Sequence, residues 1–125
     1  KIINIMSTRA EVRFATRESG QSFSKVPSAI HARFYVHHDG YPEWLGIEIA
    51  ESLRDSRKII NWEIDNLDTR RSDTEYIYYI WQKPQEEAYI SIFTRKDWDK
   101  EDEGLECIFV GNSSDLIMKY SQNKY

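Results

Sequence analysis

The chain has 125 residues, with 17 Lys and Arg against 21 Asp and Glu, giving a formal net charge of -4. Leu, Ile, Val and Phe make up about 23% of the residues, and only five Gly and three Pro occur, which excludes collagen-like, low-complexity and wholly disordered chains. A domain of this mass, 14.9 kDa, exposes roughly 7,000 Å² when folded against roughly 22,000 Å² unfolded, so one core in a single domain over residues 1–125 is expected.

Thr8 to Arg17 alternates, with Ala10, Val12 and Phe14 on one side and Arg9, Glu11, Arg13 and Arg17 on the other, the period of a half-buried strand. Ile30 to His37 repeats the pattern, with Ile30, Ala32, Phe34 and Val36 inward and His31, Arg33, Tyr35 and His37 outward. The segment between them, Glu18 to Ser28, is rich in turn formers and predicts a hairpin with a long loop. After Asp39-Gly40-Tyr41-Pro42 a helix is expected over 43–55, with Leu45, Ile49 and Leu53 on its buried stripe and Pro42 in the first turn, where its missing N–H is harmless. Residues 56–75 read as irregular, with room for a short strand and with Ile59, Ile60, Trp62, Ile64 and Leu67 as anchors.

Thr74 to Lys83 and Glu87 to Arg95 are rich in β-branched and aromatic residues on both faces, as in the middle of a covered sheet, with a hairpin turn over 83–86. A charged loop over 96–104 leads to a strand over 105–110. Gly111 to Ser114 then supplies a turn and cap for a closing helix carrying Leu116, Ile117 and Tyr120. The order ββαβββα predicts an α+β fold, a single layer of mainly antiparallel sheet covered by two helices.

No window approaches the ~18 apolar residues of a membrane span, and Lys1 to Met6 is too short for a signal-peptide core. The single cysteine, Cys107, cannot form an intrachain disulfide. A soluble cytoplasmic domain with no membrane partner is therefore expected. Cys107 lies in an apolar strand with no charge to activate it and reads as a buried, inert thiol.

The motifs of familiar chemistry are missing. Neither a P-loop nor G-x-G-x-x-G occurs, and Gly111 to Asp115 is no nucleophile elbow, so no cofactor is expected. His37-His38-Asp39 is the natural place to seek a metal or an acid/base pair. Strand alternation sends the two imidazoles to opposite faces, so no metal is expected and His37 and Asp39 stand as the only catalytic candidates. Asp39 to Pro42 reads as a structural turn in which Gly40 supplies positive φ.

His37-His-Asp-Gly-Tyr-Pro-Glu-Trp-Leu-Gly46, following an aromatic strand, resembles the H-x-D-G-Y-P segment of short proteins of bacteria and their phages. The resemblance covers about residues 33–50 and implies no activity.

Charge is uneven along the chain. Residues 1–36 carry six bases (Lys1, Arg9, Arg13, Arg17, Lys25, Arg33) against two acids (Glu11, Glu18). Arginines beside aromatics suit phosphate and base recognition. The first expectation is thus a non-catalytic binding protein whose hairpin face of Arg9, Arg13, Arg17, Arg33, Tyr35 and His37 takes an anionic ligand, a nucleotide or an RNA segment. Its rivals are a small enzyme acting on a phosphorylated or nucleotide-like substrate, with His37, Asp39 and Arg33 at the mouth of the helix, and an acidic inhibitor or accessory subunit. The last would engage a protein partner through Asp97, Asp99, Glu101, Asp102 and Glu103.

Overall fold

The computed structural model describes residues 8–18, 20–55, 62–71, 73–82, 87–98, 100 and 104–121. Lys1 to Met6, the anchors Ile59 and Ile60, the turn over 83–86, and Asp99, Glu101, Asp102 and Glu103 lie outside them.

Among the described residues six strands form one sheet: β1 (Ala10–Thr16), β2 (Ala32–Val36), β3 (Glu63–Asp65), β4 (Tyr76–Gln82), β5 (Tyr89–Arg95) and β6 (Leu105–Gly111). Their order is β3-β2-β1-β4-β5-β6. The sheet is mixed rather than mainly antiparallel. β1 runs parallel to β4, from Ala10↔Tyr76 to Thr16↔Gln82, while the other neighbours pair antiparallel. Pattern alone does not fix this. A strand apolar on both faces, as β4 is, must lie inside the sheet, but its neighbours are chosen by packing.

The helical segment begins with a π-helical turn, Pro42–Gly46, and continues as α1, Ile47–Arg54. The N–H groups of Trp44 and Leu45 both donate to the Tyr41 carbonyl, at 2.9 and 2.8 Å. α2 spans Ser113–Ser121. Asn112 caps it reciprocally: the Asp115 N–H donates to Asn112 Oδ1 at 2.8 Å, and the Asn112 N–H donates to Asp115 Oδ2 at 3.1 Å.

Both helices cover the same face of the sheet. Leu45, Ile47, Ile49 and Ala50 meet Leu116 and Tyr120 above Ala10, Val12, Tyr78, Ile80, Ile90 and Ile92. The opposite face carries a second cluster of Ala15, Ile77, Tyr79, Trp81 and Phe93. Its lid is the β1–β2 loop rather than a helix. Phe23 lies edge-on to Trp81 at 5.4 Å and stacks on Tyr89 at 4.8 Å, and its carbonyl accepts from Ser91 Oγ at 2.5 Å. Ile30, expected on the face of Phe34 and Val36, packs here instead because it precedes β2, so the turn-rich loop is anchored by Phe23 and Ile30.

Two local expectations need correction. Gly40 does not supply the left-handed residue of the turn; Asp39 does, at φ 57°. Gly40 is required because a Cβ there would lie 2.9 Å from Ala10 Cβ and 3.1 Å from the Thr8 carbonyl oxygen. Cys107 is half-buried rather than enclosed. β6 is an edge strand with an irregularity opposite Ile92/Phe93, so Cys107 turns to the loop-covered face while Phe109 reaches the helices. Burial still pushes its thiol pKa up. Labelling of native protein by a thiol reagent should therefore be slow but measurable, and should accelerate as urea unfolds the chain. Labelling as fast as that of an unstructured cysteine peptide would contradict this.

Candidate anion-binding site

On the helix-free face, the register of β1 and β2 places Arg13 directly opposite Arg33. Like charges at such a position repel. The expectation of a solvated basic face fails here, because Arg13 is 3% exposed and Arg33 4%, and Tyr35 is buried beside them. The reason is β4: its parallel pairing makes β1 an interior strand, and the loop and the segment before β4 cover its charged side. Alternation assigns side chains to a face but does not say whether that face is wet.

Glu11, fully buried, holds the two arginines together. Its Oε1 accepts from Arg33 Nη2 at 2.6 Å and from Arg13 Nη2 at 3.1 Å, while Oε2 accepts from Thr74 Oγ1 at 3.0 Å. Arg13 Nη1 donates to the Tyr79 hydroxyl at 2.7 Å, and Arg33 Nη1 to the Leu67 carbonyl at 3.3 Å. Arg33 Nε, also buried, has no hydrogen-bond partner among the described residues. One carboxylate thus faces two guanidinium groups.

These arginines line a cavity of about 290 Å³, together with Arg70, Tyr79, Ser28 and Leu67. Among the described residues no carboxylate lines it. Arg70 is an exposed side chain at its rim, so the cavity is positive from floor to mouth.

The other residues expected to bind a ligand are engaged elsewhere. Arg9 Nε lies 3.5 Å from Asp73 Oδ2, the atom to which the Tyr35 hydroxyl donates at 2.9 Å. Burial, reinforced by that bond, raises the Tyr35 pKa to about 12. Arg71 stacks on the Tyr35 ring at 3.6 Å and donates twice to Asp65, both at 2.7 Å, which holds the Asp65 carboxyl below its usual range. Arg17 is exposed, lies over Phe23 at 4.6 Å and donates to the Gln21 carbonyl at 2.7 Å. The exposed His37 pairs with Glu63. Of the six, Arg13 and Arg33 line this cavity and the other four do not.

His37, His38 and Asp39 line a different cavity, on the helix side. Arg33 is not part of it, so His37, Asp39 and Arg33 do not meet at the mouth of the helix. Among the described residues no group of three His, Cys, Asp or Glu is placed to hold a metal, and no helix is long and apolar enough to cross a membrane. Of the acidic run, Asp97 is described; its carbonyl accepts from the Lys100 N–H at 3.2 Å, closing a local turn.

No family model, curated protein or solved structure matches this chain.

Sequence reasoning missed Arg70 and Tyr79. Tyr79 is one aromatic in a run that reads wholly as core, and Arg70 sits in a polar stretch without periodicity. Nothing local marks either as a cavity residue.

Proposed function

We propose that this chain is a small, non-catalytic binding protein that holds a phosphate-bearing ligand of nucleotide size in the cavity of Arg13, Arg33 and Arg70. One observation carries the reading: a cross-strand pair of buried arginines shares a single buried carboxylate and borders a cavity that no acid among the described residues lines. Buried charge demands compensation, and the surplus guanidinium charge calls for a second anion. Guanidinium groups match the oxygens of phosphate through forked, charge-assisted hydrogen bonds.

Size favours a compact ligand. At about 290 Å³ the cavity stands at the lower end of ligand pockets, near 300 Å³. An extended RNA strand laid along Arg9, Arg13 and Arg17 fits less well, because Arg13 is buried between its neighbours.

The test is calorimetric titration with inorganic phosphate, adenosine monophosphate, adenosine and a short RNA. Phosphate and the monophosphate are expected to bind and adenosine is not, with affinity falling as salt rises. Arg70→Met, on an exposed rim residue, should weaken binding about tenfold, the value of one charge-assisted hydrogen bond. Absence of binding by every phosphate compound at low salt, or equal affinity in Arg70→Met, would overturn the reading. Tight binding of RNA alone would move the site to the exposed surface.

A further inference from the structure

The cavity on the helix side has the opposite character. It measures about 460 Å³ and is lined, among others, by His38, Asp39, Trp44, Leu45, Glu48 and Trp62. Among the described residues no Lys or Arg lines it; its carboxylates are Asp39 and Glu48, and His37 and His38 stand beside them.

Its aromatic walls are held in place. Trp62 lies edge-on to Phe34 at 5.8 Å, and its indole N–H donates to Glu48 Oε1 at 2.8 Å. That bond uses one oxygen of Glu48 and keeps its charge beside the indole. Trp44 comes from the π-helical turn, where the neighbouring Leu45 is buried at 3% while Trp44 stays 55% exposed. A large indole is thus left at the mouth of a cavity whose floor is apolar. Asp39 completes the rim from a left-handed backbone position, φ 57°.

Two indoles beside two carboxylates, with no Lys or Arg among the described lining residues and with the imidazole of His37 matched by Glu63, favour a cationic ligand. The face of an indole attracts a cation through its quadrupole, more strongly than phenylalanine or tyrosine does. A carboxylate nearby adds direct Coulomb attraction. The same acids repel a phosphorylated substrate, and Arg33, which would offset them, lines the cavity on the other face of the sheet.

We propose that this cavity binds a small organic cation through its alkylammonium group, with Trp44 and Trp62 as aromatic walls and Glu48 and Asp39 as counter-charges. The site is separate from the arginine cavity and stands independently of it.

Ligand-observed proton NMR tests this on the full chain, with tetramethylammonium and choline as probes and the uncharged tert-butyl isostere of choline as control. The N-methyl resonances should shift upfield saturably, through the ring currents of the indoles, and the isostere should not shift. Trp44→Ala, at an exposed position, should keep the melting curve and weaken binding about fivefold. Glu48→Gln can still accept from Trp62 and should also weaken the cation. A shift that does not saturate, an equal response to the isostere, or unchanged affinity in Trp44→Ala would overturn the proposal.

Discussion

Glu11→Gln is expected to cost the fold about 3–5 kcal/mol, the usual penalty for removing one member of a buried charged group. Glutamine keeps the shape and one acceptor, so the loss is chiefly electrostatic. Arg13 and Arg33, opposite each other across β1 and β2, would face one another with no carboxylate between them. Urea melts should show a lower midpoint with an unchanged slope. The double variant Glu11→Gln, Arg33→Met should lose less than the two single changes summed, because the uncompensated charge is gone. Added phosphate should recover part of the loss in the single variant by supplying the missing anion. A cost below about 1 kcal/mol would mean that water, rather than Glu11, balances these arginines.

Gly40→Val is expected to destabilise by about 3 kcal/mol, and the cause is contact rather than backbone conformation. A Cβ at Gly40 would press on Ala10 Cβ at 2.9 Å and on the Thr8 carbonyl oxygen at 3.1 Å, at the start of β1. The Gly40 N–H donates to that same carbonyl at 3.1 Å, and the Gly40 carbonyl accepts from the buried Tyr78 hydroxyl at 2.6 Å. Displacing the turn therefore strands a buried hydroxyl as well. Gly40→Asn separates the two causes. Asparagine tolerates a left-handed backbone, so it would be mild if φ mattered, and severe if the contact does. Asp39→Gly should be neutral or slightly stabilising, since Asp39 holds the positive φ. The urea midpoints of these variants decide the matter; a mild Gly40→Asn would sink the contact account.

How much of this was legible in the sequence follows from where the information lies. Val12, Phe34 and Ile49 sit on the expected faces because alternation and helical spacing are local properties of the chain. The cap at Asn112 is equally local. The parallel pairing of β1 with β4 is not, since it joins segments far apart and depends on what the intervening chain can bridge. That pairing turned a face read as solvated into the polar interior, and so changed the meaning of every arginine on it. By sequence Glu11 is one of two acids in a basic stretch; in the fold it is the centre of the group. Arg70 and Tyr79 entered the site only through tertiary structure, as did the two tryptophans of the second cavity.

The central claim, that the surplus guanidinium charge of Arg13 and Arg33 selects an anion, is tested most directly by a crystal structure of the protein soaked in tungstate, whose anomalous signal locates the ion. A tungstate is expected in the cavity of Arg13, Arg33 and Arg70, with its oxygens within hydrogen-bond distance of the guanidinium groups that line it. Tungstate bound elsewhere, with only water against Arg33, would contradict it.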